Sequence, residues 1–335
     1  MPKAFIDRDG LHFNDDGIER KVNYLTISAT LIEGMLECPA KFVFSRYLQD
    51  EVIPPQPDSP LTRGSAFHRT LELYYGLDES KRPASGIDMH ILSAAMRKAI
   101  TEAPVEVRND DVFIDWLKNA LKRYTRMNES AVNVRIANYT NKDGLTKPGL
   151  EMPVSGIIGN ATRRSFGMID RLIQVNNDDP RSVIIDDYKT GKSAKAYDPH
   201  DRYADFGYIR QQTMYAMLLE KDTNTYHNGF DVCGGRLIYP VADNNKDTAE
   251  PGVILPVDVK NQKYRDKTIK DVELTSRMLD DAINTNTYSC NPSKLCSWCP
   301  LANICPRADK DDRDKFVNAR ASQPDESTLA PVIEK

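Results

Sequence analysis

Two periods of hydrophobicity divide this chain into helical and extended stretches. From Ile27, the segment SATLIEGMLECPAKFVFSRYL carries apolar residues at helical spacing, with Ser28 placed to cap it and Cys38 in its second half or just beyond. The run from Ile53 to Pro60 holds too many prolines to continue a helix and reads as a linker. A helix is expected from about Arg63, with Phe67, Leu71 and Tyr74 as its apolar stripe and Gly64, His68 and Glu72 recurring beside it. Helical spacing persists between Gly76 and Asn138, broken near Pro83, with a long amphipathic run from Asp111.

The period changes at about Leu150. LEMPVSGIIG, RSFGMIDRLIQV and SVIIDDYKT read as strands, followed by a helix from about Tyr208 to Glu220, strands at GRLIYPV and GVILPVDV, and a helix from Tyr264 to about Asn284. Residues 1–26 are polar and read as an irregular arm or short hairpin. Residues 307–335 turn charged and then rich in Ser and Pro, and read as a disordered tail. The expected architecture is an α/β domain over residues 27–306. It has a mixed central sheet flanked by helices and a helical insertion at about 77–140, suited either to roofing a channel or to plain scaffolding.

The stretch VIIDDYKTGK, Val183 to Lys192, places an acid and a lysine two residues apart at the end of an apolar strand. Residues two apart on a strand share a face, so Asp187 and Lys189 project together while Asp186 and Tyr188 point the other way. Replacing Asp186 is therefore expected to matter less than replacing Asp187. Asp170, seventeen residues upstream in FGMIDRLI, suits the neighbouring strand of a hairpin. Two carboxylates and a lysine at one place suit phosphodiester hydrolysis. The carboxylates bind Mg2+ or Mn2+ through oxygen, and the cationic side chain steers the attacking water and steadies developing charge.

These segments, with GSAFH (Gly64 to His68) and QQTMY (Gln211 to Tyr215), resemble the PD-(D/E)XK nuclease superfamily, and within it the RecB-like branch that includes CRISPR-associated exonucleases and many phage exonucleases. The resemblance runs from about Ser28 to Pro306, with the motifs in the family's order. It implies a restriction-endonuclease-like fold and a metal-dependent DNA exonuclease. In that reading Asp170, Asp187 and His68 hold Mg2+ or Mn2+, and Lys189 orients or activates the water. Gln211 contacts DNA or the lysine, with Tyr215 packed beside it. The implied substrate is DNA, single-stranded or with frayed ends, and the implied setting is recombination, end processing or phage replication, with a recombinase or helicase as partner. The same features admit a CRISPR prespacer-trimming nuclease, or a non-catalytic DNA-binding or scaffolding subunit that keeps the fold. Glu151 is an ancillary acid or, as the stronger reading, an exposed strand residue, and Glu72 a helix-face acid.

Six cysteines are present, three of them in CSWCPLANIC with C-x2-C-x5-C spacing at Cys296, Cys299 and Cys305. In an intracellular chain this spacing reads as metal binding before disulfides, and soft thiolate ligation suits iron-sulfur or zinc alike. The fourth ligand is Cys38 or Cys290. The resemblance implies Cys38, in a 4Fe-4S clasp joining the two ends of the domain, with Zn2+ the alternative. Cys233 reads as a small buried strand residue.

With a net charge of −4 and a pI of about 5.8, the chain lacks the overall basic balance of proteins that coat nucleic acid. Local clusters could track a strand: Arg163 and Arg164, Lys192 and Lys195, and Lys118, Lys122, Arg123 and Arg126, the last group reading more simply as a solvated helix face. No run of about 18 apolar residues exists to span a membrane, and MPKAFIDRDG lacks the apolar core of a secretory signal. A cytoplasmic setting is expected.

Overall fold

The computed structural model describes residues 3–7, 10–15, 18–22, 26–39, 41, 56–127, 134–141, 143–191, 206–221, 229–241, 252–285 and 291. Cys290, Cys296, Cys299, Cys305, Lys192, Lys195 and the tail at 307–335 lie outside the described residues. The chain divides into two compact units: residues 1–53, 157–166 and 267–335, and residues 54–156 and 167–266. No helix among the described residues is long and apolar enough to cross a membrane.

The first unit opens with an antiparallel meander of β1 (Lys3–Asp7), β2 (Gly10–Asp15) and β3 (Ile18–Val22). Where an irregular arm or short hairpin was expected, the described residues form paired strands. The registers Asp7↔Gly10 and Asp15↔Ile18 leave two residues between strands, and Asp16-Gly17 is a dipeptide that favours a tight hairpin. Helix α1 (Ala29–Glu37) starts at Ser28, whose side chain accepts a hydrogen bond from the Leu31 amide, and buries Leu31, Ile32 and Met35. It ends at Cys38, whose Sγ accepts from the Lys41 amide at 3.5 Å.

The second unit is built on a five-stranded mixed sheet, which bears out the α/β expectation. Its strands are β6 (Leu150–Gly156), β7 (Ser165–Gln174), β8 (Ser182–Tyr188), β9 (Asp231–Tyr239) and β10 (Val253–Val257), in the order β10-β9-β8-β7-β6; a separate ribbon pairs β4 (Asn138–Thr140) with β5 (Thr146–Pro148). β7 and β8 are antiparallel, β8 and β9 parallel. A parallel pair needs a crossover, which carries helix α5 (Gly207–Lys221).

Helix α2 (Pro60–Tyr75) begins with proline at its first turn, where the missing N–H costs nothing. It packs with α3 (Met89–Glu102) and α4 (Asp111–Met127) in one apolar cluster containing Phe67, Leu71, Leu92, Leu117 and Tyr124, joined by Tyr188 and Ile238 from the sheet. Burial of Phe113, Leu117, Leu121 and Tyr124 on α4 follows the helical period. The rings of Phe67, Tyr124 and Tyr188 meet edge to face, with centroids 5.9 Å apart. Through the Tyr124–Tyr188 contact, α4 braces the strand that bears Asp187. The long helix α6 (Gln262–Thr285) follows β10.

Cys233 is exposed rather than buried, a correction. The register between β8 and β9 shifts after Val183, which pairs with Val232, so that Ile184 pairs with Gly234 and Cys233 is left as the bulged residue.

Candidate active site

The site forms at the end of the β7–β8 hairpin. Asp170 reaches across it, and its Oδ2 accepts from the Tyr188 amide at 2.7 Å. Lys189 Nζ lies 2.7 Å from Asp187 Oδ2 and donates to Gln211 Oε1 at 3.0 Å. Gln211 in turn donates to Tyr215 Oη at 3.1 Å and faces Asp187 Oδ1 at 3.4 Å. Asp187, Lys189, Gln211 and Tyr215 therefore make one connected group. Asp170 is tied to it through the backbone of Tyr188.

His68 stands on α2 beside these strands, and its Nε2 is 3.1 Å from the carbonyl oxygen of Tyr188. A carbonyl can only accept, so Nε2 carries the proton and a neutral ring offers its Nδ1 lone pair. Nδ1 faces two carboxylates, Asp170 at 3.5 Å and Glu151 at 3.8 Å. Ligand atoms of His68, Glu151 and Asp170 lie within 4.8 Å of one another, a nitrogen and oxygen set that suits a divalent cation.

Glu151 is therefore not the exposed strand residue favoured from sequence. It is half-buried in the cluster, and its φ of +42° is the single left-handed value among the described non-glycine residues. A strained backbone at a ligand position is common in functional sites, because the fold holds a side chain where an extended strand would not. Asp187 falls outside this group of three and faces Lys189 instead.

The electrostatics demand positive charge. Burial opposes the charged form of His68, but Asp170 and Glu151 outweigh it and raise its pKa to about 10. Burial raises Asp187 to about 6, helped by the like charge of Asp170 and opposed by Lys189. Burial also works against the Lys189 ammonium, yet Asp187 and Asp170 prevail and its pKa is raised. A cation bound among His68, Glu151 and Asp170 would take over the charge that the imidazolium supplies in its absence.

Three features escaped the sequence reading. Tyr208, 43% exposed, places its ring centroid 4.3 Å from Lys189 Nζ, a cation–π contact that leaves one edge of the lysine covered. Its spacing from Gln211 and Tyr215, three and then four residues along α5, is the signal that could have marked it. Gly167 is also required: a Cβ there would sit 2.0 Å from Tyr215 Cε1. Gly167→Ala is expected to destabilise the protein by about 1–3 kcal/mol through overpacking, read from the midpoint of denaturant unfolding. The third is Asp186. It does point away from Asp187, but it is fully buried between Arg171 and Arg236, so its replacement is expected to cost stability.

Several of the remaining charged candidates have other partners. Glu72 accepts from Arg69 at 2.7 Å, Arg163 pairs with Asp280 at 2.8 Å, and Lys118 pairs with Asp115 at 3.2 Å. A cleft of about 450 Å³ opens beside the cluster, lined by Pro60, Leu61, Gly64, Ser65, His68 and Glu151 among others.

These features place a histidine–carboxylate cluster, with a donor set that suits a divalent cation, beside a carboxylate–lysine pair on an α/β sheet, an arrangement expected of a nuclease. The sequence agrees: the profile of the PD-(D/E)XK nuclease superfamily matches residues 26–306, and the chain belongs to that superfamily. Among solved structures it is similar to a protein from Eubacterium rectale titled "Putative exonuclease", at 13% identity and a TM-score of 0.46, covering 82% of this chain and 86% of that one. No curated protein matches in sequence.

Proposed function

We propose that this protein is a Mg2+- or Mn2+-dependent DNA exonuclease of the RecB-like branch. The observation that carries the reading is the convergence of His68 Nδ1, Glu151 and Asp170 within 4.8 Å, next to the Asp187–Lys189 pair at 2.7 Å. His68, Glu151 and Asp170 would hold a first cation, with Asp187 completing its shell or sharing a second. A bound cation supplies a nucleophilic water at neutral pH and a counter-charge for the phosphate oxygens.

The side chains divide the remaining work. His68 is locked by the Tyr188 carbonyl so that Nδ1 stays on the cation side. Lys189, held by Asp187, Gln211 and Tyr208, keeps an ammonium at the reacting phosphate, where it orients the water and offsets charge as the phosphorus is attacked. Cleavage leaves a 3′-hydroxyl and a 5′-phosphate.

The cleft beside the cluster is of a size that suits a nucleotide rather than a duplex, which supports single-stranded or frayed ends as substrate. On linear and circular single strands of equal sequence with Mn2+, progressive shortening of the linear DNA and survival of the circles is the expected result. Equal rates on both would make the enzyme an endonuclease. We place it in the cytoplasm, in recombination, end processing or phage replication beside a helicase or recombinase.

We further propose that Cys38, at the end of α1, joins Cys296, Cys299 and Cys305 in a 4Fe-4S clasp. Cys38→Ser should then lose iron and Cys290→Ser keep it, since serine replaces a thiolate with a rarely ionised oxygen. Colourless wild-type protein with stoichiometric zinc, or full iron in Cys38→Ser, would refute the clasp as drawn.

A further inference from the structure

The reverse face of the catalytic hairpin carries a row of charges that the chemistry does not use. Arg171, Asp186 and Arg236 lie side by side on β7, β8 and β9, at the paired positions Arg171↔Asp186 and Asp186↔Arg236. Asp186 accepts from Arg171 Nε at 2.9 Å and Nη2 at 2.5 Å, and from Arg236 Nε at 2.7 Å and Nη2 at 2.9 Å. Arg171 is 1% exposed and also donates to Tyr124 Oη at 3.0 Å; its guanidinium stacks 4.2 Å from the Tyr75 ring centroid. Tyr75 and Tyr124 share a hydrogen bond at 2.8 Å.

Stability alone does not explain such a row. Burying the Arg171 guanidinium and the Asp186 carboxylate, with the Arg236 guanidinium partly covered, forfeits hydration, and apolar residues of similar volume would serve a core as well or better. What forked, two-point contacts supply is direction: they fix how far apart and at what angle adjacent strands lie. One residue along each strand, on the other face, stand Asp170 and Asp187. Like charges on neighbouring strands repel, and the repulsion is greatest before a cation arrives.

We propose that Arg171, Asp186 and Arg236 are positioning residues, a buried ladder that holds the Asp170 and Asp187 strands at cation-binding spacing from behind. The inference rests on the nuclease reading of the front face. The ladder acts through the backbone of residues 170–171 and 186–187, so its loss appears as weaker metal binding and slower chemistry rather than as loss of DNA contact.

The test is the folded double variant R171M/D186L, in which apolar side chains of similar size replace the pair, with the partly exposed Arg236 left able to reach water. Mn2+ is titrated alone into the full chain by calorimetry, and cleavage of linear single-stranded DNA is followed across DNA and Mn2+ concentrations. The double variant should melt no lower than wild type in chelator, yet bind Mn2+ about tenfold more weakly. Its kcat should fall about tenfold and recover in part at high Mn2+, with KM for DNA little changed. Wild-type Mn2+ affinity and kcat in the double variant would overturn the ladder's role. If the double variant does not fold, R236Q takes its place, with a roughly threefold loss of Mn2+ affinity expected and an unchanged value overturning the proposal. A wild-type protein that neither binds Mn2+ nor cuts DNA overturns the nuclease reading itself, and the inference with it.

Discussion

Asp187→Ala and Lys189→Ala are each expected to lower DNA cleavage at least about a hundredfold, a loss of roughly 2.7 kcal/mol of transition-state stabilisation, while the protein stays folded. Asp187 is buried, and that burial disfavours its carboxylate, so its removal relieves an electrostatic cost as well as removing a contact. Lys189 is bound to groups that can repack, since Gln211 keeps Tyr215 as a partner when the ammonium is lost. Thermal melts close to wild type, beside cleavage rates down by two orders of magnitude, are the expected pair of results. A rate within tenfold of wild type in Lys189→Ala would remove the lysine from the chemistry.

Asp186→Ala should behave in the opposite way. Removing the one carboxylate between two guanidiniums leaves Arg171 buried with no counter-ion, an effect of about 3–5 kcal/mol in comparable buried pairs. With a few degrees of melting temperature per kcal/mol in a protein of this size, the drop should be on the order of 10 °C. Differential scanning calorimetry of the two neighbouring variants separates the roles: Asp187→Ala loses rate and keeps stability, whereas Asp186→Ala loses stability first. A melt of Asp186→Ala that matches wild type would mean that the buried charges find other compensation.

The front of the hairpin was legible in the sequence because its determinants are local. Two-residue alternation puts Asp187 and Lys189 on one face, and the length of the intervening segment makes Asp170 a neighbour across a turn. Helical spacing likewise put Gln211 and Tyr215 together. The back was not legible. Arg171, Asp186 and Arg236 come from three strands, and only the register of those strands turns three scattered charges into one row. Glu151 depends on which strand end lies near His68 and on a backbone angle that an acidic residue seldom adopts, neither of which its neighbours in sequence reveal. Cys233 was misjudged for a related reason, because alternation along β9 fails at a bulge defined by its partner strand. The hairpin alternative at the start of the chain had its signal in Asp16-Gly17.

In the proposed function, the carboxylates, His68 and Lys189 form a cation-dependent hydrolytic site. The most direct measurement is digestion of end-labelled linear single-stranded DNA by wild type and Lys189→Ala, each with Mn2+ and with excess EDTA. Cleavage is expected from wild type with Mn2+, and none above background in the other three reactions. Undiminished digestion in EDTA, or by Lys189→Ala, would contradict it.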